Sequence, residues 1–152
     1  MLQKNEPFND LLYPPIPADL LFAGLNDNDQ DRLDAIMQKR HYKIDEQIFE
    51  EGDEAENVYL LKRGQAVLTR KRAKNASPLV CPVTPSLLFG VTEVLSKIDF
   101  EAGLLPVTDC EVGEIDREDF VSFFRSNPAA CYRLASVVSS MYQKVVTGHK
   151  TQ

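Results

Sequence analysis

The chain has 152 residues, of which 43% are apolar and 26% are charged, so it is long enough for one globular domain with a hydrophobic core. Seventeen lysines and arginines against 23 aspartates and glutamates give a net charge of −6, which argues against a surface that neutralises nucleic-acid phosphates. No apolar run reaches the roughly 18 residues of a membrane span, and the N-terminus lacks a signal-peptide pattern. We therefore expect a cytoplasmic protein without direct nucleic-acid or membrane contacts.

The first 40 residues divide into an arm and a helical region. Residues 1–18 contain four prolines, at positions 7, 14, 15 and 17, and proline removes backbone donors and favours extended neighbours. We expect an extended N-terminal arm there. Over residues 19–40 apolar residues recur at helical spacing, which predicts two short helices or one helix broken near Gly24, with Asn26 or Asp27 as N-cap.

The central part of the chain has the pattern of short strands. Apolar segments separated by turn residues lie at 48–49, 58–61, 66–69, 79–81, 103–107 and 110–115. Short strands with a turn about every 10 residues indicate a sandwich or barrel rather than a βαβ sheet. One short helix is predicted within this region, at 91–95.

The C-terminal region, about 116–146, predicts a pair of helices that meet at Asn127-Pro128, because proline fits the first turn of a helix. In the second helix, five apolar residues are spaced as in a coiled coil two heptads long. They are Cys131, Leu134, Val138, Met141 and Val145. We expect this stripe to form a homodimer seam, and the alternative is that it packs against the chain's own sheet.

Six short segments, taken in order and with their spacing, carry a family resemblance. They are LFAGL at 21–25, IFEEGD at 48–53, VYLLKRG at 58–64, LFG at 88–90, TDCEV at 108–112 and IDREDF at 115–120. The set resembles the cyclic-nucleotide-binding domain, the effector half of the catabolite-activator (Crp/Fnr) regulators that also occurs in kinase regulatory subunits and channels.

The resemblance implies a mainly β fold with flanking helices. Its centre is a β-roll, a double-stranded β-helix of the jelly-roll or cupin-like kind, over about 42–115. N-terminal helices precede the roll and a C-terminal helix pair follows it, so that the domain covers 19–146 and 147–152 form a tail.

The resemblance also identifies a phosphate-binding cassette, and this chain departs from it. In the family, a short helix after the Phe-Gly pair points its free N–H groups at the cyclic phosphate. Nucleotide-binding members have a glutamate directly after the glycine for the ribose, and an arginine about nine residues further on, whose planar fork pairs with the phosphate. Here Val91 and, by ungapped counting, Phe100 stand in those places. A two-residue shift would bring Glu93 to the ribose, but no arginine lies between Arg72 and Arg117.

This cassette predicts a mostly apolar pocket. Its candidate lining residues are Phe89, Gly90, Val91, Thr92, Glu93, Phe100, Leu104 and Tyr132. Losing the charged partner of a phosphate costs about 3–5 kcal/mol, or roughly two to four powers of ten in affinity.

We therefore expect a non-enzymatic regulatory module that lacks its own DNA-binding domain, does not bind cAMP or cGMP in the standard way, and acts through dimerisation or a protein partner. The alternative is a sensor that takes cAMP or another small effector in the roll and signals through the last helix. In a third hypothesis, the arm of residues 1–18 swaps onto a partner.

The remaining features predict no chemistry. There is no nucleotide-loop or serine-hydrolase motif, His41 and His149 lie far apart, and the acids between 45 and 56 lack calcium-loop spacing, so we expect no catalytic residue, metal or cofactor. The three cysteines are interpreted as buried thiols. Six basic residues within 62–74 are expected to form a solvated strand edge, or else a docking patch for an acidic partner.

Overall fold

The computed structural model of the chain describes residue 8, residues 10–73 and residues 76–150, with the side chains of 145 and 148–150 excepted. In chain order its elements are β1 Ile16–Pro17, α1 Ala18–Leu21, α2 Asp27–Ile36, β2 Gln38–Tyr42, β3 Asn57–Arg63, β4 Ala66–Arg70, β5 Leu79–Val83, β6 Leu87–Phe89, α3 Val91–Ser96, β7 Gly103–Pro106, β8 Cys110–Asp116, α4 Arg117–Arg125 and α5 Pro128–Lys150.

Within the described residues, the strands form two antiparallel sheets. One has five strands in the order β1-β6-β3-β8-β2, and the other has three in the order β5-β4-β7. Alternate residues of β5 are buried, as expected for a strand with one face on the core. Buried side chains from both sheets and from the helices form one core cluster, with Leu61 from β3, Leu104 from β7 and Phe120 from α4 among its fully buried members. The architecture is the mainly β roll with flanking helices that the sequence predicts.

Local chemistry explains where the helices begin. The side chain of Asn26 accepts a hydrogen bond from the N–H of Asp29 at 2.8 Å, which caps α2. Asp116 caps α4 in the same way through the N–H of Asp119. Asn127 accepts from the N–H of Ala130 just before α5. The predicted N-cap at Asn26 is thus confirmed.

Three expectations about local structure were wrong. The helical region ends at Ile36, and the roll begins with β2 at Gln38, earlier than 42, because the polar residues 38–41 form an exposed edge strand. The segment 48–49 forms only a single bridge, between Phe49 and Leu104, instead of a regular strand. Cys131 is exposed on α5, whereas Cys81 and Cys110 are buried as expected.

None of the described helices is both long enough and apolar enough to cross a membrane.

Candidate ligand pocket and dimerisation helix

The short helix α3 starts at a glycine that no other residue could replace without strain. Gly90 has φ of +89° and occupies the N-cap position, a conformation that side chains with a Cβ disfavour. A Cβ built on Gly90 would lie 2.8 Å from Cε1 of Phe100 and 3.2 Å from the carbonyl oxygen of Asn57. The glycine therefore permits both the turn into α3 and the close approach of the Phe100 ring.

Aromatic rings fill the roll beside this helix. The ring of Phe100 stacks on that of Phe49 with 4.1 Å between centroids, and Tyr59 lies 5.0 Å from Phe49. Phe89 is 6.4 Å from Phe49 and completes the cluster. All four side chains are buried, so Phe100 belongs to the hydrophobic core.

Two carboxyl groups lie beside the aromatic cluster. The side chain of Glu93, in the first turn of α3, is only 5% exposed. Burial raises the pKa of the Glu93 carboxyl to about 7, with a smaller contribution from the charge of Glu101, while the N–H groups of Glu93 and Glu101 favour ionisation. The Glu101 carboxylate is also buried and pairs with Arg70, whose Nη1 lies 3.1 Å from Oε2. Beside the first turn of α3 there are therefore one carboxyl that burial favours in its protonated form and one carboxylate that is already paired with an arginine.

The N-terminal arm lies across the mouth of the roll. The N–H groups of Leu12 and Tyr13 donate to Oε2 and Oε1 of Glu101 at 2.5 and 2.7 Å. Leu11 and Ile16 are each only 2% exposed. The space that remains is a cavity of about 20 Å³, which is close to the size of one water molecule and far below the several hundred Å³ of a typical ligand pocket. With the arm in this position, the cavity has no room for a nucleotide.

The structure brings four of the eight predicted pocket residues together. Phe89, Gly90 and Glu93 line the cavity, and Phe100 lies against Gly90. Other candidates are core residues: Val91 and Leu104 are buried, and Thr92 is half-buried on α3.

The expectation that Tyr132 lines the pocket is corrected. Tyr132 is 77% exposed, because the face of α5 that carries it points away from the core, and it is not among the residues that line the cavity.

Sequence reasoning missed the residues that contact the arm. Glu101 and Arg70 join the arm to the roll, and Arg72 makes a second ion pair, 3.1 Å from the carboxylate of Asp10. The cluster of bases at 62–74 was a signal that could have indicated this role, since Arg70 and Arg72 belong to it. Part of that cluster holds Asp10 of the same chain; Lys74 lies outside the described residues.

On α5 the predicted seam is divided between two faces. Leu134 is buried against the chain's own core, with Val138 and Met141 partly buried beside it. Cys131 is exposed, and the side chain of Val145 lies outside the described residues. For Leu134 the structure favours the intramolecular alternative, because α5 packs on α1 and α4.

A second stripe on α5 faces outward. Its exposed members at heptad spacing are Tyr132, Ala135, Ser139, Tyr142 and Val146. Tyr132 and Tyr142 are 77% and 68% exposed, and aromatic residues such as tyrosine are enriched in protein interfaces.

No group of three or more histidine, cysteine, aspartate or glutamate side chains in the described part of the chain is arranged to hold a metal ion.

An antiparallel roll with a short helix after a Phe-Gly pair and a C-terminal helix pair defines a regulatory domain of the cyclic-nucleotide-binding type. The family model for the cyclic nucleotide-binding domain matches residues 39–127, which is more than half of the chain, so the chain belongs to this family. The resemblance found in the sequence is thereby confirmed.

The relatives are of the catabolite-activator type. The chain is 28% identical over 119 residues to the cyclic AMP receptor protein of Thermus thermophilus, covering 78% of this chain and 55% of that protein. Its fold is similar to the crystal structure of the Thermus thermophilus catabolite activator protein, with a TM-score of 0.78 and 25% identity over 86% of this chain and 62% of that one.

A third similar structure is the N-terminal domain of a transcriptional regulator from Streptomyces coelicolor, with a TM-score of 0.74 and 21% identity. The similarity extends over 92% of that domain and 87% of this chain. By contrast, the chain spans just over half the length of the curated relative.

Proposed function

We propose that this chain is a non-enzymatic regulatory module that does not bind cAMP or cGMP in the standard way and that acts through dimerisation or a protein partner. The observation that supports this most directly is the pair of buried carboxyl groups, Glu93 and Glu101, beside the first turn of α3. A cyclic phosphodiester is an anion. The Glu101 carboxylate would compete with it for Arg70, and Glu93, whose carboxyl is partly protonated near pH 7, supplies no positive charge to bind it.

The cation that could pair with a phosphate at this site already has other hydrogen-bond partners. Arg70 has its guanidinium beside Glu101, and it already pairs with that carboxylate and donates to the carbonyl oxygen of Asp10 at 3.0 Å. Phe100, which stands where the resemblance places the phosphate-binding arginine, packs in the aromatic cluster. These contacts support the proposal that the roll does not bind a cyclic nucleotide in the standard way.

For the output of the module, we propose a homodimer through the outward face of α5. The exposed tyrosines Tyr132 and Tyr142, with Val146, offer an aromatic and aliphatic stripe that two copies can bury against each other. The net charge of −6 favours protein contacts over direct nucleic-acid contacts, and we propose a cytoplasmic location.

The alternative function is a sensor that takes cAMP or another small effector in the roll and moves α5 in response. Membership of the family favours it. For this function the arm must leave the mouth of the roll, and the effector must bind more tightly to the open state than to the closed one.

Calorimetry and thermal unfolding with cAMP, cGMP and cyclic dinucleotides, each up to millimolar concentration, test the proposal. We expect no heat of binding and no shift in Tm. A ligand present at about 100 times its Kd would stabilise the protein by about 2.7 kcal/mol, so a clear shift with any of these nucleotides would support the sensor function instead.

A further inference from the structure

The arm is bound to the roll as an extended peptide is bound to a receptor. Its strand β1 pairs with β6, with Ile16 opposite Leu88 and Pro17 opposite Leu87. Without β1, strand β6 would be the edge of its sheet. Adding an extended segment to a free sheet edge is a general mode of peptide recognition, in which the backbone supplies affinity.

A second backbone contact fixes the register of the segment. Both oxygens of the Glu101 carboxylate accept hydrogen bonds from consecutive N–H groups, those of Leu12 and Tyr13. The carboxylate is itself buried and held by Arg70. Such a charge-assisted pair recognises a main chain irrespective of its side chains.

Side-chain contacts select the sequence of the segment. The carboxylate of Asp10 meets Arg72 at 3.1 Å, and the side chains of Leu11 and Ile16 are buried. Leu12, between them, is exposed. The groove therefore selects an acidic residue, a leucine directly after it, and a second aliphatic residue five positions further on.

We propose that this groove is a peptide-binding site for an extended segment of a partner protein with that pattern, and that residues 10–17 occupy it in competition with the partner. The inference deepens the proposed function, since it gives the protein partner a site and a chemistry. It assigns the roll mouth to peptide in place of nucleotide.

The test uses a fluorescent synthetic peptide with the sequence of residues 10–18 and the full chain carrying Leu11→Asp, which disfavours the seated arm and leaves the groove intact. We expect the peptide to bind this variant at least tenfold more tightly than the wild type. A tethered segment competes at an effective concentration of about millimolar. The control is Val107→Asp, which introduces the same charge at an exposed aliphatic residue that does not line the cavity and should behave as the wild type.

A charge exchange tests the register. Adding Arg72→Glu to the Leu11→Asp chain should weaken binding of the peptide about two- to fivefold, because the Arg72–Asp10 pair is exposed, and a peptide with Asp10→Lys should restore it. No binding to a folded Leu11→Asp chain, equal binding to wild type and variant, or no restoration by the exchanged charge would each overturn the site.

Hydrogen exchange of the wild-type chain keeps the proposal testable if Leu11→Asp does not fold. Millimolar peptide should speed the exchange of the amides of Leu12 and Tyr13, because the displaced arm loses Glu101, and unchanged exchange would overturn the proposal. The oligomeric state gives a further check. If the wild-type chain has twice the monomer mass and the Leu11→Asp chain has the monomer mass, the occupant of the groove is the arm of a second copy, and the assignment to a partner protein is overturned. Nucleotide titrations test the proposed function separately, since peptide binding leaves their result unchanged.

Discussion

The ring of Phe100 lies in the space that a side chain at position 90 would need: a Cβ on Gly90 would lie 2.8 Å from Cε1 of Phe100. The turn that begins α3 and the segment before β7 thus pack as one unit. The ring of Phe100 lies where, by family resemblance, an arginine would be expected. This contact stabilises the roll, and two substitutions of Phe100 measure its contribution to the free energy of unfolding.

Replacing Phe100 by alanine should lower the free energy of unfolding by about 3–5 kcal/mol, because it leaves a cavity beside Phe49 and Tyr59. Phe100→Arg should destabilise at least as much, since it buries an unpaired cation in an aromatic cluster. Urea unfolding measures both. Leu95→Ala, on the exposed side of α3, is the control and should change stability by less than about 1 kcal/mol. A stable Phe100→Arg protein would mean that the roll can open to admit a charge.

The space around Gly90 can be separated from its backbone angle by a matched pair of variants. Gly52 has the same φ of +89°, but a Cβ added there would meet no heavy atom within 4 Å. Gly52→Ala should therefore cost only the left-handed conformation, about 1–2 kcal/mol. Gly90→Ala should cost about 1–3 kcal/mol more, because Phe100 must move. Equal Tm values for the two variants would show that the ring of Phe100 yields freely.

The sequence predicted the roll well because its signals are local. Strands β3, β4 and β8 coincide with short apolar runs bounded by turn residues, and the helix after Gly90 is observed at Val91–Ser96, against a predicted 91–95. By contrast, 48–49 had the composition of a strand but pairs only at Phe49. Composition cannot show whether a neighbouring strand is available to pair.

The candidate site was predictable only in part. The residues of the cassette could be found by their order, but the contacts that close it join distant parts of the chain. Leu12 and Glu101 are 89 positions apart, and neither has a local pattern that indicates the other. On α5 the stripes containing Leu134 and Tyr142 have the same spacing, so only tertiary packing decides which one faces inward.

Glu93 should make stability depend on pH. Its pKa is raised to about 7 from 4.5, so the folded state binds its proton more tightly than the unfolded state does. The resulting stabilisation is full below about pH 4.5 and is lost as the pH rises to about 7, by roughly 3 kcal/mol in total.

Glu93→Gln removes this titration. The wild type loses stability as the pH rises from 5 to 8, and the variant does not lose this contribution. The difference in free energy of unfolding, variant minus wild type, should therefore increase by about 2–3 kcal/mol over that range. Urea unfolding at the two pH values measures the gain. Glu118→Gln, at an exposed position in α4, is the control and should show no such gain. A constant difference between Glu93→Gln and wild type would show that the carboxyl ionises normally.

The two faces of α5 should respond differently to charge. The combined change Tyr132→Glu and Tyr142→Glu alters the exposed stripe, so we expect a folded monomer, because repulsion prevents burial of the stripe between two copies. Leu134→Glu instead places a charge in the chain's own core and should unfold the domain. Sedimentation equilibrium gives the mass and circular dichroism gives the folding. Gln143→Glu, next to Tyr142 but outside the heptad positions, should remain a folded dimer. A wild-type chain that sediments as a monomer, or a double variant that keeps the dimer mass, would contradict a seam on this face of α5.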